Sequence, residues 1–131
     1  MNYPADSDVV LLLCEDARLE VGNKVTIIGW YVGGDIVIPK SEEDQVLLPS
    51  LALIFLIRSG DGEFQGTAKV IHPNGSAIIE TQPLQIPIRK GASAAHLLRA
   101  VPFSAKIGKY TAEFRLNERT YHSGFTVTRS A

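Results

Sequence analysis

The clearest pattern in this chain is a period of two near its C-terminal end. Tyr110, Ala112, Phe114 and Leu116 alternate with Thr111, Glu113, Arg115 and Asn117; further on, Tyr121, Ser123, Phe125 and Val127 alternate with His122, Thr126 and Thr128. Such alternation marks half-buried antiparallel strands, apolar toward a core and polar toward water. Setting Leu116 opposite Tyr121 also sets Phe114 opposite Ser123, Ala112 opposite Phe125 and Tyr110 opposite Val127, so one register serves the whole hairpin. Its tip, residues 117–120, lacks the Asn-Gly of a tight turn, and a four-residue loop is expected there.

Turn chemistry places the other elements. Pro73-Asn74-Gly75 separates two β-rich runs, Ser59-Gly60-Asp61-Gly62 marks another reversal, and Gly33-Gly34-Asp35 ends a strand. Strands are expected over residues 9–14, 25–32, 36–38, 51–58, 66–72, 76–81, 97–101, 110–116 and 121–128, with a polar loop over 40–45. Residues 93–100 form two helical turns at most, or a strand. The chain therefore reads as one all-β domain, an immunoglobulin-like antiparallel β-sandwich of roughly 7–9 strands with at most one short helical turn. Gly108-Lys109-Tyr110, with one more strand behind it, matches the tyrosine corner of such sandwiches. The Tyr110 hydroxyl is then expected to bond backbone within residues 103–106.

Three strands break the alternation. Leu51, Leu53, Phe55 and Ile57 face one way, but Ala52, Ile54 and Leu56 face the other. Ile28, Trp30 and Val32 likewise oppose Val25, Ile27 and Tyr31, and residues 9–13 are apolar throughout. A strand wetted on one side should not look like this. The second face is expected to be covered either by another copy of the chain, through a patch of Ile28, Trp30, Ile54 and Leu56 in a homodimer, or by the long segment 81–99.

Composition narrows the function classes. At 131 residues, 45% hydrophobic and 21% charged, the chain supports a core without staples. Cys14 is the only cysteine, so an internal disulfide and a CxxC metal or redox site are excluded, and it reads as a small buried hydrophobe. The apolar run 9–14 is shorter than a secretory h-region and far shorter than a membrane span, so a cytoplasmic location without membrane contact is expected. Residues 1–65 carry 11 acids and 4 bases, whereas residues 66–131 carry 3 acids and 9 bases. A basic half can bind nucleic acid, but these bases are dispersed and lack interleaved aromatics, so interleaving of the halves in the fold is the favoured reading.

Glu15, Asp16, Arg18 and Glu20 form the densest polar cluster. Three carboxylates at this spacing could contribute to a cation or hydrolase site, and an Arg fork could hold a partner or ligand. The structural alternative is a solvated turn in which Arg18 pairs with a neighbouring acid. His72, His96 and His122 lie on three segments with no H-x-H or HExxH spacing, and no P-loop, GxSxG or Rossmann pattern occurs. No metal, cofactor or catalytic residue is assigned.

The segment Leu12-Leu13-Cys14-Glu15-Asp16-Ala17-Arg18-Leu19-Glu20-Val21-Gly22-Asn23-Lys24, running on to Gly29-Trp30-Tyr31, resembles the opening of a family of small bacterial proteins of unknown function. The Gly-x-Tyr strand and closing hairpin fit the same family. The resemblance implies a cytoplasmic bacterial protein with an immunoglobulin-like fold, and it supplies no activity. The expected function is a non-enzymatic, self-associating protein-interaction module. Ligand, cation or hydrolase chemistry at Glu15, Asp16 and Glu20 is the alternative, and nucleic-acid binding by the basic half a weaker one.

Overall fold

The computed structural model describes residues 1–40, 43 and 45–130, and it is an all-β sandwich. Of the expected polar loop 40–45, residues 41, 42 and 44 lie outside the described residues. The strands are β1 (Val9–Glu20), β2 (Lys24–Trp30), β3 (Asp35–Ile38), β4 (Gln45–Leu48), β5 (Leu51–Ile57), β6 (Gly62–Ile71), β7 (Ala77–Glu80), β8 (Leu84–Ile88), β9 (Ala94–Ala100), β10 (Phe103–Lys106), β11 (Gly108–Leu116) and β12 (Arg119–Arg129). A single 3-10 turn, Asp6–Asp8, precedes β1.

One sheet has the order β2-β1-β5-β9, and the facing sheet runs β3-β12-β11-β6-β7, with β8 also on β6. A short β4–β10 ladder completes the fold. The sheets close on one core that draws Leu51, Leu53, Phe55 and Ile57 from β5 and Phe114, Leu116, Phe125 and Val127 from the β11–β12 hairpin. Phe55 and Phe114 stack across it at 4.9 Å.

Among the described residues twelve strands replace the expected seven to nine, because β4, β8 and β10 span only four or five residues each, too few for the alternation of Leu84, Ile86 and Ile88 or of Phe103 and Ala105 to stand out as a strand. The segment 81–99 is therefore no covering loop, since most of it belongs to β8 and β9. One pairing also departs from the antiparallel scheme. After residues 31–34 cross from one sheet to the other, β3 lies parallel to β12.

The hairpin register differs by two residues from expectation: Leu116 pairs with Arg119, Phe114 with Tyr121, Ala112 with Ser123 and Tyr110 with Phe125. A shift of two preserves which side chains face inward, so the expected core positions survive it. The turn contains only Asn117 and Glu118. Asn117 accepts a positive φ of 50° and exchanges hydrogen bonds with Gln65, its amide donating to the Gln65 carbonyl and its side-chain oxygen accepting from the Gln65 amide, both at 2.8 Å. That tether to β6 supplies what an Asn-Gly pair would otherwise provide.

Candidate functional site

At the corner, Gly108 adopts a φ of +146°, and a Cβ there would lie 2.7 Å from Pro73. Tyr110 follows, fully buried and stacked on Phe125 at 5.0 Å. Its hydroxyl accepts a 3.0 Å bond from the Lys106 amide. Residues 103–106 are where the sequence placed that partner. Burial pushes the Tyr110 hydroxyl up from its ordinary value, with the Lys106 amide opposing.

The polar cluster lies elsewhere than expected. Glu15, Asp16, Arg18 and Glu20 stand on extended β1, which continues past Cys14 and returns as β2 through a three-residue turn. Gly22 and Asn23 take the turn's positive φ values, +88° and +57°. The alternation Ala17, Leu19 against Arg18, Glu20 carried this strand in the sequence, but the four charges concealed it. Extension also disperses the carboxylates. Asp16 pairs with Arg99 at 3.4 Å and Glu20 with Arg18 at 3.5 Å. The Glu15 side chain covers Gly29, whose φ is +64° and where a Cβ would come within 2.6 Å of the Glu15 carboxyl carbon. Among the described residues, no three His, Cys, Asp or Glu side chains converge to hold a metal ion.

The second half of β1 and all of β2 act as an arm. β9 lies beyond β5 from β1, yet Arg99 of β9 donates to the Ala17 carbonyl, and the Asn23 side chain donates to the Ser93 carbonyl at 3.2 Å. The arm thus folds across the outer face of β5. Beneath it Cys14, Ala17, Ala52 and Ile54 form a second buried cluster, with Leu12, Val25, Leu56, Ala95 and Leu97 packed around it. The arm, rather than a second copy or a loop of segment 81–99 lying over it, covers Ile54 on the outer face of β5. The proposed patch separates accordingly. Ile54 is wholly buried and Leu56 half-buried under the arm, while Ile28 and Trp30 remain 52% and 51% exposed on β2.

Cys14 lies in that second cluster with its thiol 3.7 Å from the Ala52 carbonyl. Burial, reinforced by Asp16, pushes the thiol up, so it behaves as a packed hydrophobe. No family model and no curated protein matches the chain. Among the described residues no helix is long and apolar enough to cross a membrane.

Sequence reasoning missed two features. His96 faces the main core from β9, 4% exposed, with its Nε2 unpartnered and its ring 5.4 Å from Phe114. The flanking Ala94, Leu98 and Ala100, alternating with it, were the available signal of its burial. The other feature is a lateral recess of about 460 Å³ between the two sheets, beside residues 9–13 and 123–125 and below Trp30, Tyr31 and Val32. Among the described residues no charged side chain lines it.

Proposed function

We propose that this protein is a non-enzymatic interaction module that self-associates through the exposed outer face of β2. The observation that carries the reading is the apolar surface left by the arm. Ile28 and Trp30, two residues apart on β2, are both about half exposed, and Val32, 75% exposed, lies with Trp30 beside the recess. Large exposed aromatics beside apolar neighbours are what interface anchors require. An isologous contact about a two-fold axis would bury Trp30 against its own counterpart's surroundings, the commonest way a small chain hides such a strip. The dispersal of Glu15, Asp16 and Glu20 into separate contacts favours this reading over ligand, cation or hydrolase chemistry there. The resemblance of residues 12–31 supports placing the module in the bacterial cytoplasm, within the family named above.

Solution mass tests it. The unmodified chain is expected to run as a dimer at tens of micromolar in light scattering, and Ile28→Lys with Trp30→Ser to run as a folded monomer. A monomer for the unmodified chain at that concentration removes self-association from the reading.

A further inference from the structure

Each of the two sheets ends, on the same side of the sandwich, in a strand that is only half paired. β2 accompanies β1 no further down than Cys14, and the Tyr31 amide adds one last bond to the Leu13 carbonyl at 2.8 Å. Backbone groups of successive strand residues point to opposite edges. The Leu13 carbonyl points away from β5, so the N–H and C=O groups of Leu11 and Val9 do the same. Among the described residues no strand pairs with residues 9–12 on that side. The facing sheet repeats the arrangement. β3 accompanies β12 only over residues 126–129, and the Thr126 amide donates to Gly34 at 3.2 Å. By the same alternation Gly124 and His122 present their backbone groups to the open side.

These two unpaired half-edges bound the recess of about 460 Å³. The crossover of residues 31–34 closes one end. The 3-10 turn at Asp6–Asp8, with Asp6 paired to Arg119 at 3.0 Å, frames the other. On the opposite side of the sandwich a recess of about 560 Å³ lies between β8 and β9, with different edges. Pro87 interrupts the β8 edge, and the arm tip is tied to Ser93. Proline and covering segments are the usual protection of edges against added strands. The recess at β1 carries neither.

We infer that the recess accepts an extended, uncharged apolar segment of a partner polypeptide as an added β-strand, hydrogen-bonded to the free edge of residues 9–12. The backbone selects the occupant, because donors and acceptors spaced along a strand edge are satisfied in sequence only by another strand. The available length, four residues or about 13 Å, suits a short linear segment. The neutral lining excludes charge at the inward positions, where it would be desolvated without a counter-charge. A second copy of this chain fits poorly. Its own β1 edge is recessed in the same way, and two recessed edges cannot approach to strand-pairing distance.

The inference rests on the interaction-module reading, and the two fail separately. The probe is a fluorescein-labelled seven-residue peptide of alternating Thr and Val, titrated by anisotropy, alongside the same peptide N-methylated on alternate residues. Binding of the first and not the second is expected. Leu11→Pro, which removes a donor that β5 does not use, should weaken binding about tenfold. Because a proline can also disturb folding, amide hydrogen exchange on the unmodified protein gives an independent reading: the Leu11 amide should exchange fast in the free chain and slow with peptide. No anisotropy change at millimolar peptide overturns the proposal, as does binding that leaves Leu11 exchange unchanged. Slow Leu11 exchange in a peptide-free dimer that Leu11→Pro abolishes also overturns it, by making a second copy the occupant. Peptide binding that survives Ile28→Lys, at a residue off the recess lining, keeps this inference even if the dimer is absent, and an Ile28-dependent dimer without peptide binding keeps only the module reading.

Discussion

At the scale of single residues, two buried polar groups carry opposite energetics. The Tyr110 hydroxyl accepts a hydrogen bond from the Lys106 amide. Tyr110→Phe leaves that donor unpaired beside the core, and the loss is expected to be about 1–2 kcal/mol in urea unfolding. An unchanged midpoint would mean that the corner bond contributes nothing. His96 is the reverse case, a ring placed against Phe114 with Nε2 unmatched. Burial holds its pKa below the ordinary 6.5, so the unfolded chain binds the proton more readily than the folded one. Its contribution to stability is therefore complete above about pH 6.5 and declines as pH falls through the depressed folded-state value. Comparing urea midpoints near pH 7.5 and pH 5 should show a smaller acid loss in His96→Leu than in the unmodified chain. Equal acid losses would show that His96 does not titrate across that window.

At the scale of elements, the β1–β2 arm decides what the outer face of β5 becomes. Ile54 sits beneath it without exposure, so Ile54→Ala should cost about 2–5 kcal/mol. Ile28→Ala, on the outer side of the same arm, should stay within about 0.5 kcal/mol in the monomer. Gly29→Ala combines a left-handed backbone with a clash against Glu15 and should cost about 1–3 kcal/mol. Equal losses at Ile54 and Ile28 in thermal or urea unfolding would contradict the folded-over arm. The β11–β12 hairpin shows the complementary behaviour. Its register moved by two residues and nothing inward changed, because its alternation fixes faces more firmly than pairing partners.

At the scale of the whole molecule, the charge asymmetry dissolves into neighbouring pairs. Asp6 meets Arg119, Asp16 meets Arg99 and Glu63 meets Arg89, each an acid from the first half against a base from the second. All three are solvent-exposed contacts worth little stability individually. They join three of the nine bases of the second half to acids of the first. The all-β class, the core faces of β5, β11 and β12, and the Tyr110 corner were all legible in the chain. Each depends on local period, turn residues or a short motif, and those physical signals reside in adjacent positions. The arm, the buried His96, the parallel β3 and the lateral recess were not legible in it. The apolar second face of β5 told that a cover must exist, but what supplies the cover depends on a contact between Ala17 and Arg99, 82 residues apart in the chain. Where a strand lacks a neighbour is likewise a property of the assembled sheets. Sequence alone determined which faces had to be dry, and only the tertiary arrangement decided what dried them and which edge was left open.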